Sequence, residues 1–420
     1  MIVERRPEHG LTLLAQEMPD LRSVTAGVWL RRGSRHERPG VNGISHFIEH
    51  LVFKGTERRS SVEIARQIDA VGGQMDAFTG KDSTCFYIRV LDRHLDLALD
   101  LLTDIVLRPL FDATEIERER KVIYEEMRMV DDSPEELLFD LLYEKRFPDH
   151  MLGRPVQGTP ESIAGVDRET LRGFFTAAYR PANLIVSVAG GMRAPATLDA
   201  LASAFAALPP GSADTAEDPP PGAAPGVVLR DKPALEQLHL GLALGGLPQA
   251  HPDRHGLLVL SNLLGGTMSS RLFQKVREER GLAYSVFSSV NGHADCGFQS
   301  VYVATAPGNA QQVLDLVATE LRDLKTRPVE RRELEDSREN LKGGLMLNLE
   351  STSSRMTQMA RHEMAFGRQF SLEETLGGID AVTADDVQRL ANATFRAAEA
   401  TLAVVGPLNG FQPTAGGLEF

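Results

Sequence analysis

The sequence predicts an α+β protein of two homologous domains from an internal duplication, each a mostly antiparallel sheet with helices packed on one face. Three observations predict it. The first is a repeat. IAGVDRETLRGFFTAAYRPANLIVSVAGG returns as IDAVTADDVQRLANATFRAAEATLAVVGP at a constant shift of 216 residues, and STCFYIRV parallels the segment around GFQSVYVA. The second is a break: LPPGSADTAEDPPPGAAPGV (208–227) is too rich in Pro, Gly, Ala and acid to build a core, and reads as a linker. The third is length, because 420 residues exceed what one ordinary core accommodates. A domain over 1–208, a linker over 209–227 and a domain over 228–420 follow.

In chain order, LTLLAQE and VTAGVWLRRG read as strands joined by a turn, the second with Val24, Ala26, Val28 and Leu30 alternating. NGISHFIEHLVFKG (42–55) reads as one helix. Asn42 is its expected N-cap, Ile44, Phe47, Ile48, Leu51 and Val52 recur at helical spacing, and Gly55 is the expected stop. SSVEIARQIDAVGG carries a Ser60/Glu63 capping box and ends at Gly72 and Gly73. A strand pair follows, MDAFT into STCFYIRVL, and then the helix LDLALDLLTDIVL. Asp112 and Glu115 start the next helix, with Ile116, Val122, Ile123 and Met127 as its apolar stripe. Ser133 and Pro134 open another. GTPESIAGVDRETLRGFFTAAY gives more helix, and NLIVSVAGG closes the half as a buried strand. In the second half HGLLVLSNLLGG (255–266) takes the place of the 42–55 helix and has no pair of histidines.

Composition narrows the function classes. Apolar content of 42% and charged content of 25% belong to a soluble globular protein. A net charge of −13 argues against nucleic acid and against anionic membrane surfaces. No apolar run reaches membrane-spanning length, and the first residues lack a secretory h-region. Cys85 and Cys296 are too few for a disulfide framework and read as small hydrophobes in separate domains. A reducing cytoplasm is the expected location.

The chemistry sits in the 42–55 helix. His46 and His50 are four apart, one turn above each other on one face, so both imidazoles reach one ion. Glu49 shares that edge. Two imidazoles with a neighbouring carboxylate are what a zinc hydrolase uses to bind its metal and deprotonate a water. A third protein ligand is required, and the acidic helix downstream offers Glu119, Glu125 and Glu126. Glu119 and Glu126, seven apart, share a face, but spacing alone does not choose among the three.

HFIEH, its continuation LVFKGT, the segment GGQMDAFTGKDSTCFY and the later ERERKVIYEEM together resemble the pitrilysin family of zinc peptidases, in particular its processing-peptidase branch. The resemblance covers nearly the whole chain, and the order His-x-x-Glu-His is the inverse of the commoner zinc helix. It implies a third ligand 76 residues past the second His, which is Glu126, and an outer carboxylate at Glu119 that orients a ligand imidazole. It implies Glu49 as general base and one zinc per chain. It also assigns roles to Arg277 and Tyr284, which by spacing alone read as a surface Arg and a half-buried Tyr. In the family an Arg and a Tyr seven apart in this place hold the substrate and stabilise the oxyanion; Arg280 is a neighbouring alternative ranked below Arg277. Asp76, Ala77 and Phe78 fall in the stretch resembling the family's substrate-binding strand, with Asp76 where many relatives have Asn.

What the resemblance implies about assembly follows from larger relatives, which close four such units into a hollow shell. A two-unit chain holding both half-sites is expected to form a homodimer in which Arg277 and Tyr284 of one copy serve the zinc of the other. The expected activity is therefore endopeptidase cleavage of unfolded peptides or presequence-like segments inside a closed chamber. Two alternatives are carried: a scaffold protein like the family's core subunits of respiratory complexes, and a dedicated peptide-maturation enzyme working with an unlike partner chain.

Overall fold

The computed structural model describes residues 2–209, 220–414 and 420. The chain forms two compact units. The first comprises Met1–Met127, Arg154–Asp218 and Met346–Gln369; the second comprises Arg128–Gly153, Pro219–Leu345 and Phe370–Phe420. The expected contiguous division at 208 and 228 therefore differs from the observed one, because each unit takes in a piece of the other half's sequence. Of the expected linker 209–227, residues 210–219 lie outside the described residues, and its last two residues already belong to a strand beginning at Gly226.

The first sheet has six strands: β1 (Ile2–Arg5), β2 (Thr12–Glu17), β3 (Ser23–Leu30), β4 (Gln74–Thr79), β5 (Thr84–Leu91) and β6 (Leu184–Gly190), in the order β1-β2-β6-β3-β5-β4. Only β2 and β6 run parallel; the other neighbours are antiparallel. β1, four residues with no full alternation, was not legible as a strand and exists by pairing with β2. The second sheet has β7 (Gly226–Asp231), β8 (Leu238–Gly245), β9 (Ala283–Gly292), β10 (Gly297–Thr305) and β11 (Thr401–Gly406), in the order β7-β11-β8-β10-β9, with only β7 and β11 parallel. Apart from β1, the two sheets share one order and one set of directions, as a duplication requires.

The helices of the first half are α1 (Ile44–Leu51), α2 (Ser61–Asp69), α3 (Leu95–Leu107), α4 (Ala113–Asp132), α5 (Pro134–Arg146), α6 (Pro160–Ala164), α7 (Arg168–Ala178) and α8 (Ala194–Phe205). Those of the second are α9 (Arg254–Ser261), α10 (Ala310–Thr326), α11 (Arg331–Asn348), α12 (Thr352–Phe366), α13 (Leu372–Asp380) and α14 (Ala384–Thr394). Most pack on one face of their sheet. In the first unit Ile44, Phe47, Ile48 and Leu51 of α1 join Leu101, Leu102 and Ile105 of α3 over Val24, Ala26 and Val28 of β3.

One helix per unit covers the opposite face, and it comes from the other half's sequence. Leu137, Leu138, Leu141 and Leu142 of α5 bury against Ala243, Phe298, Tyr302, Ala403 and Val405 of the second sheet. Met356, Met359 and Ala360 of α12 bury against Leu14, Trp29, Cys85 and Ile185 of the first. Fully buried side chains of this size contribute about 1.5–3 kcal/mol each, which is why neither sheet leaves that face bare. Cys85 is buried and Cys296 half-buried, in different units, and neither forms a disulfide. No helix among the described residues is long and apolar enough to cross a membrane.

The repeat extends to backbone detail. Gly190 ends β6 at φ +140°, and Gly406, 216 residues later, ends β11 at φ +138°. A Cβ on either would stand 2.3 Å from a carbonyl oxygen, that of Ser23 in one unit and of Gln237 in the other. Backbone cannot give way as a side chain can. Gly190→Ala and Gly406→Ala are each expected to destabilise their unit by about 1–3 kcal/mol, measured by urea unfolding.

Candidate metal centre

α1 buries Ile44, Ser45, Phe47, Ile48 and Leu51, and this leaves His46, Glu49 and His50 on the face away from the core. Its start differs from expectation. The N-cap is Gly43 at φ +92°, without a side-chain cap, and the helix ends at Leu51, four residues before Gly55. Asn42 instead donates its side-chain amide to Glu37 Oε2 at 3.0 Å. The orphan amides of the first turn are taken by the same carboxylate: Gly43 N–H donates to Glu37 Oε2 at 2.6 Å and Ser45 N–H to Oε1 at 2.8 Å.

His46 and His50 lie edge to face, ring centroids 4.7 Å apart. Their Nε2 atoms are 3.6 Å and 3.4 Å from one oxygen of Glu126, Oε2, delivered by α4. The three ligand atoms lie within 4.8 Å of one another, the one such group of metal-competent side chains among the described residues. Nitrogen and oxygen atoms bound to a tetrahedral zinc stand about 3.3–3.6 Å apart, so the imidazole-to-carboxylate spacings fit that ion. Glu125 is exposed one position away on α4, and Glu119 faces the site from two turns upstream.

Glu119 is buried, with Oε2 3.1 Å from His50 Nδ1 and Oε1 2.8 Å from Lys54 Nζ. A carboxylate paired with lysine accepts, so His50 carries its proton on Nδ1 and turns the Nε2 lone pair toward Glu126. Burial, the larger cause, together with the neighbouring His50 pulls His46 down to about 4, which leaves it neutral, the state a metal ligand needs, across the neutral range. Its Nδ1 is buried with no hydrogen-bond partner among the described residues.

Glu49 points elsewhere on the same edge, toward β4. Thr79 donates its hydroxyl to Glu49 Oε2 at 2.6 Å. Burial pushes the Glu49 carboxyl above its ordinary range, opposed by the Thr79 hydrogen bond and by His50. A carboxyl shifted upward holds a proton more readily than a surface Glu, which suits a group that must both take and return one.

β4 is the last strand of its sheet and pairs only with β5. Asp76 and Phe78 are exposed and Ala77 is half-buried between them. Phe78 meets Trp29 edge-on at 5.4 Å, while Asp76 accepts from its neighbour's amide, Ala77 N–H, and from Tyr87 OH at 3.3 Å. Arg277 and Tyr284 belong to the second unit and pair with each other there. The Arg277 guanidinium lies 4.5 Å over the Tyr284 ring and 4.7 Å over that of Phe273, and its Nη1 donates to the Tyr284 carbonyl at 3.0 Å. Tyr284 is 77% exposed, not half-buried. Arg280 is engaged locally, donating to the Lys275 carbonyl and to Glu279.

Residues 12–160 match the family described as insulinase, peptidase family M16, and residues 165–341 match the peptidase M16 inactive domain. The chain is 39% identical over 407 residues to the uncharacterized zinc protease YmxG of Bacillus subtilis, covering 97% of this chain and 98% of that protein. The chain belongs to peptidase family M16. An uncharacterized zinc protease of Streptomyces coelicolor is 38% identical, covering 95% of this M16 chain and 88% of its own. A protease from Helicobacter pylori shares the fold at a TM-score of 0.90 with 22% identity, over 97% of this chain and 99% of that one. An M16 inactive-domain protein from Pseudomonas fluorescens does so at 0.89 and 21%, over 97% and 98%.

The second M16 unit keeps the polar scaffold of the first without its ligands. After α9, Asn262 donates to Ser337 Oγ of α11 at 3.0 Å, as His50 meets Glu119 of α4. Ser261 and Ser288 of β9 are joined at 3.1 Å, as Glu49 and Thr79 of β4 are. Gly344 of α11 offers no side chain where Glu126 stands in the first unit. Sequence pattern alone does not single out three contributors to the site. Thr79 lies within GGQMDAFTGKDSTCFY and Lys54 within LVFKGT, whereas Glu37 precedes its helix and has no periodic signal.

Proposed function

We propose that this protein is a zinc-dependent endopeptidase that cleaves unfolded peptides. The observation carrying the reading is the convergence of His46, His50 and Glu126 on one small volume, with Glu49 beside them and hydrogen-bonded to Thr79 of the edge strand β4. His46, His50 and Glu126 would hold a zinc ion, which would supply the Lewis acidity to polarise a carbonyl and acidify a water. Glu49 takes the water's proton and hands it to the leaving amine. Glu119, tied to Lys54, keeps His50 in the ligating tautomer. An extended peptide adds to the edge of β4 by main-chain hydrogen bonds beside Asp76, Ala77 and Phe78, at right reach for Glu49 through Thr79.

Incubation with a mixture of unstructured peptides, with and without chelator, tests the reading by mass spectrometry. Chelator-sensitive internal cleavage is expected; cleavage equally fast with and without chelator would refute it. The chain works as a homodimer in the cytoplasm, with Arg277 and Tyr284 of one copy stabilising the oxyanion at the centre of the other. The exposure of Tyr284 and its fixed stacking under Arg277 support that role. Mixing a Glu49→Gln chain with a Tyr284→Phe chain is expected to recover up to about a quarter of wild-type activity, since one random dimer in two is mixed and each carries one intact site. No recovery would favour a self-contained site.

A further inference from the structure

We infer that Glu37 is a positioning residue for the metal-binding helix, fixing its first turn, and His46 with it, against the hairpin that carries Thr79. The inference rests on reading His46, His50 and Glu126 as the metal centre and adds a residue outside that set.

The metal-binding helix cannot cap itself. α1 has eight residues, and its N-cap position is a glycine that no side chain can replace: a Cβ on Gly43 would stand 2.4 Å from the Gln157 carbonyl oxygen and 2.8 Å from Ile163 Cδ1. The amides of Gly43 and Ser45 are nevertheless paired, because Glu37 reaches them from six and eight residues upstream. Its carboxylate is buried, 4% exposed, and also accepts from the Asn42 amide. A negative group at a helix N-terminus is favoured by the backbone dipoles as well as by the hydrogen bonds. His46 is the third residue of this helix, within the turn so capped.

The other end of the same short segment grips the hairpin. Ser34 N–H donates to the Gly80 carbonyl and Arg35 N–H to the Lys81 carbonyl, each at 3.0 Å. Gly33 lies so close to the turn that a Cβ there would stand 2.2 Å from the Gly80 oxygen. Arg35, itself buried, reaches Asp82 Oδ1 at 3.1 Å. Residues 33–37 thus connect the ligand helix to the β4–β5 turn adjoining Thr79, the partner of Glu49. A cap supplied by an ordinary Ser or Asp at Gly43 would hold the helix without holding the hairpin. The 33–37 segment does both, residues 33–35 holding the hairpin and Glu37 the helix, so the distance between the ligand turn and the base's partner depends on the Glu37 cap.

The test separates positioning from plain stability. Zinc affinity is measured by competition with a chromophoric chelator, below the unfolding range, for the wild type, Glu37→Gln, Glu37→Ala and Ser60→Ala. Ser60 caps α2 through Glu63 N–H and serves as the purely structural comparison. The carboxamide of Glu37→Gln keeps one acceptor in place and keeps the fold available if the alanine variant fails to form. Glu37→Gln is expected to weaken zinc binding about tenfold and to alter the visible spectrum of the cobalt-substituted protein, while Ser60→Ala lowers thermal stability with wild-type affinity and spectrum. Wild-type affinity and spectrum in folded Glu37→Gln would overturn the inference. A wild-type protein that takes up no zinc would instead overturn the underlying reading of the metal centre, and the two failures are read from different samples.

Discussion

Glu49→Gln is expected to retain zinc and lose about 10²–10⁴-fold in kcat/KM, the range that a positioned general acid–base supplies. The substitution keeps the shape of the side chain and leaves an oxygen able to accept from Thr79, now at 2.6 Å from Glu49 Oε2. What it removes is the capacity to hold a proton between water and leaving amine. Metal content by atomic absorption should match the wild type, because Glu49 is not among the three converging ligand atoms. A variant that loses its zinc along with its activity would place Glu49 in the coordination sphere. One that keeps its activity would remove Glu49 from the chemistry altogether.

Glu126→Ala is expected to abolish both zinc retention and chelator-sensitive cleavage. Two imidazoles four apart on a helix remain, but catalytic zinc takes three protein ligands. The thermodynamic signature is independent of any substrate. With zinc at 100 times its dissociation constant the wild type gains about 2.7 kcal/mol in unfolding free energy, and Glu126→Ala gains far less. Unfolding monitored with and without added zinc checks this. Glu125→Ala is the matched comparison: Glu125 is exposed one position away and its loss should leave the zinc-dependent gain unchanged. Equal loss in both variants would mean that the acidic helix acts through general charge, not through one ligand.

Much of this molecule is legible in its sequence because the informative distances are local. The i, i+4 spacing of His46 and His50 is a property of any helix through them, and the Ser60/Glu63 box is formed as read. α3 runs over the segment read from its apolar pattern, and β6 is buried throughout, as NLIVSVAGG implied. The duplication too was visible, since a constant shift of 216 survives as matched strand orders and as the paired glycines 190 and 406. Local reading failed where a distant group replaces a local one. Asn42 is a good N-cap by residue type, yet Glu37 caps the helix, because the close approach of Gln157 reserves the cap position for glycine. The grouping into compact units is non-local for the same reason: α5 and α12 each carry an apolar stripe, but a stripe does not say which sheet it will cover.

By itself, then, the chain determined its periodic elements, its internal repeat and the two imidazoles of the candidate site, all set by dihedral regularities that extend only a few residues. The tertiary structure decided which of three glutamates meets those imidazoles, which lysine and threonine steady Glu119 and Glu49, and which strand is left at the sheet edge. Those outcomes depend on how apolar faces pack across tens to hundreds of residues, and many arrangements of the same elements share the same local pattern.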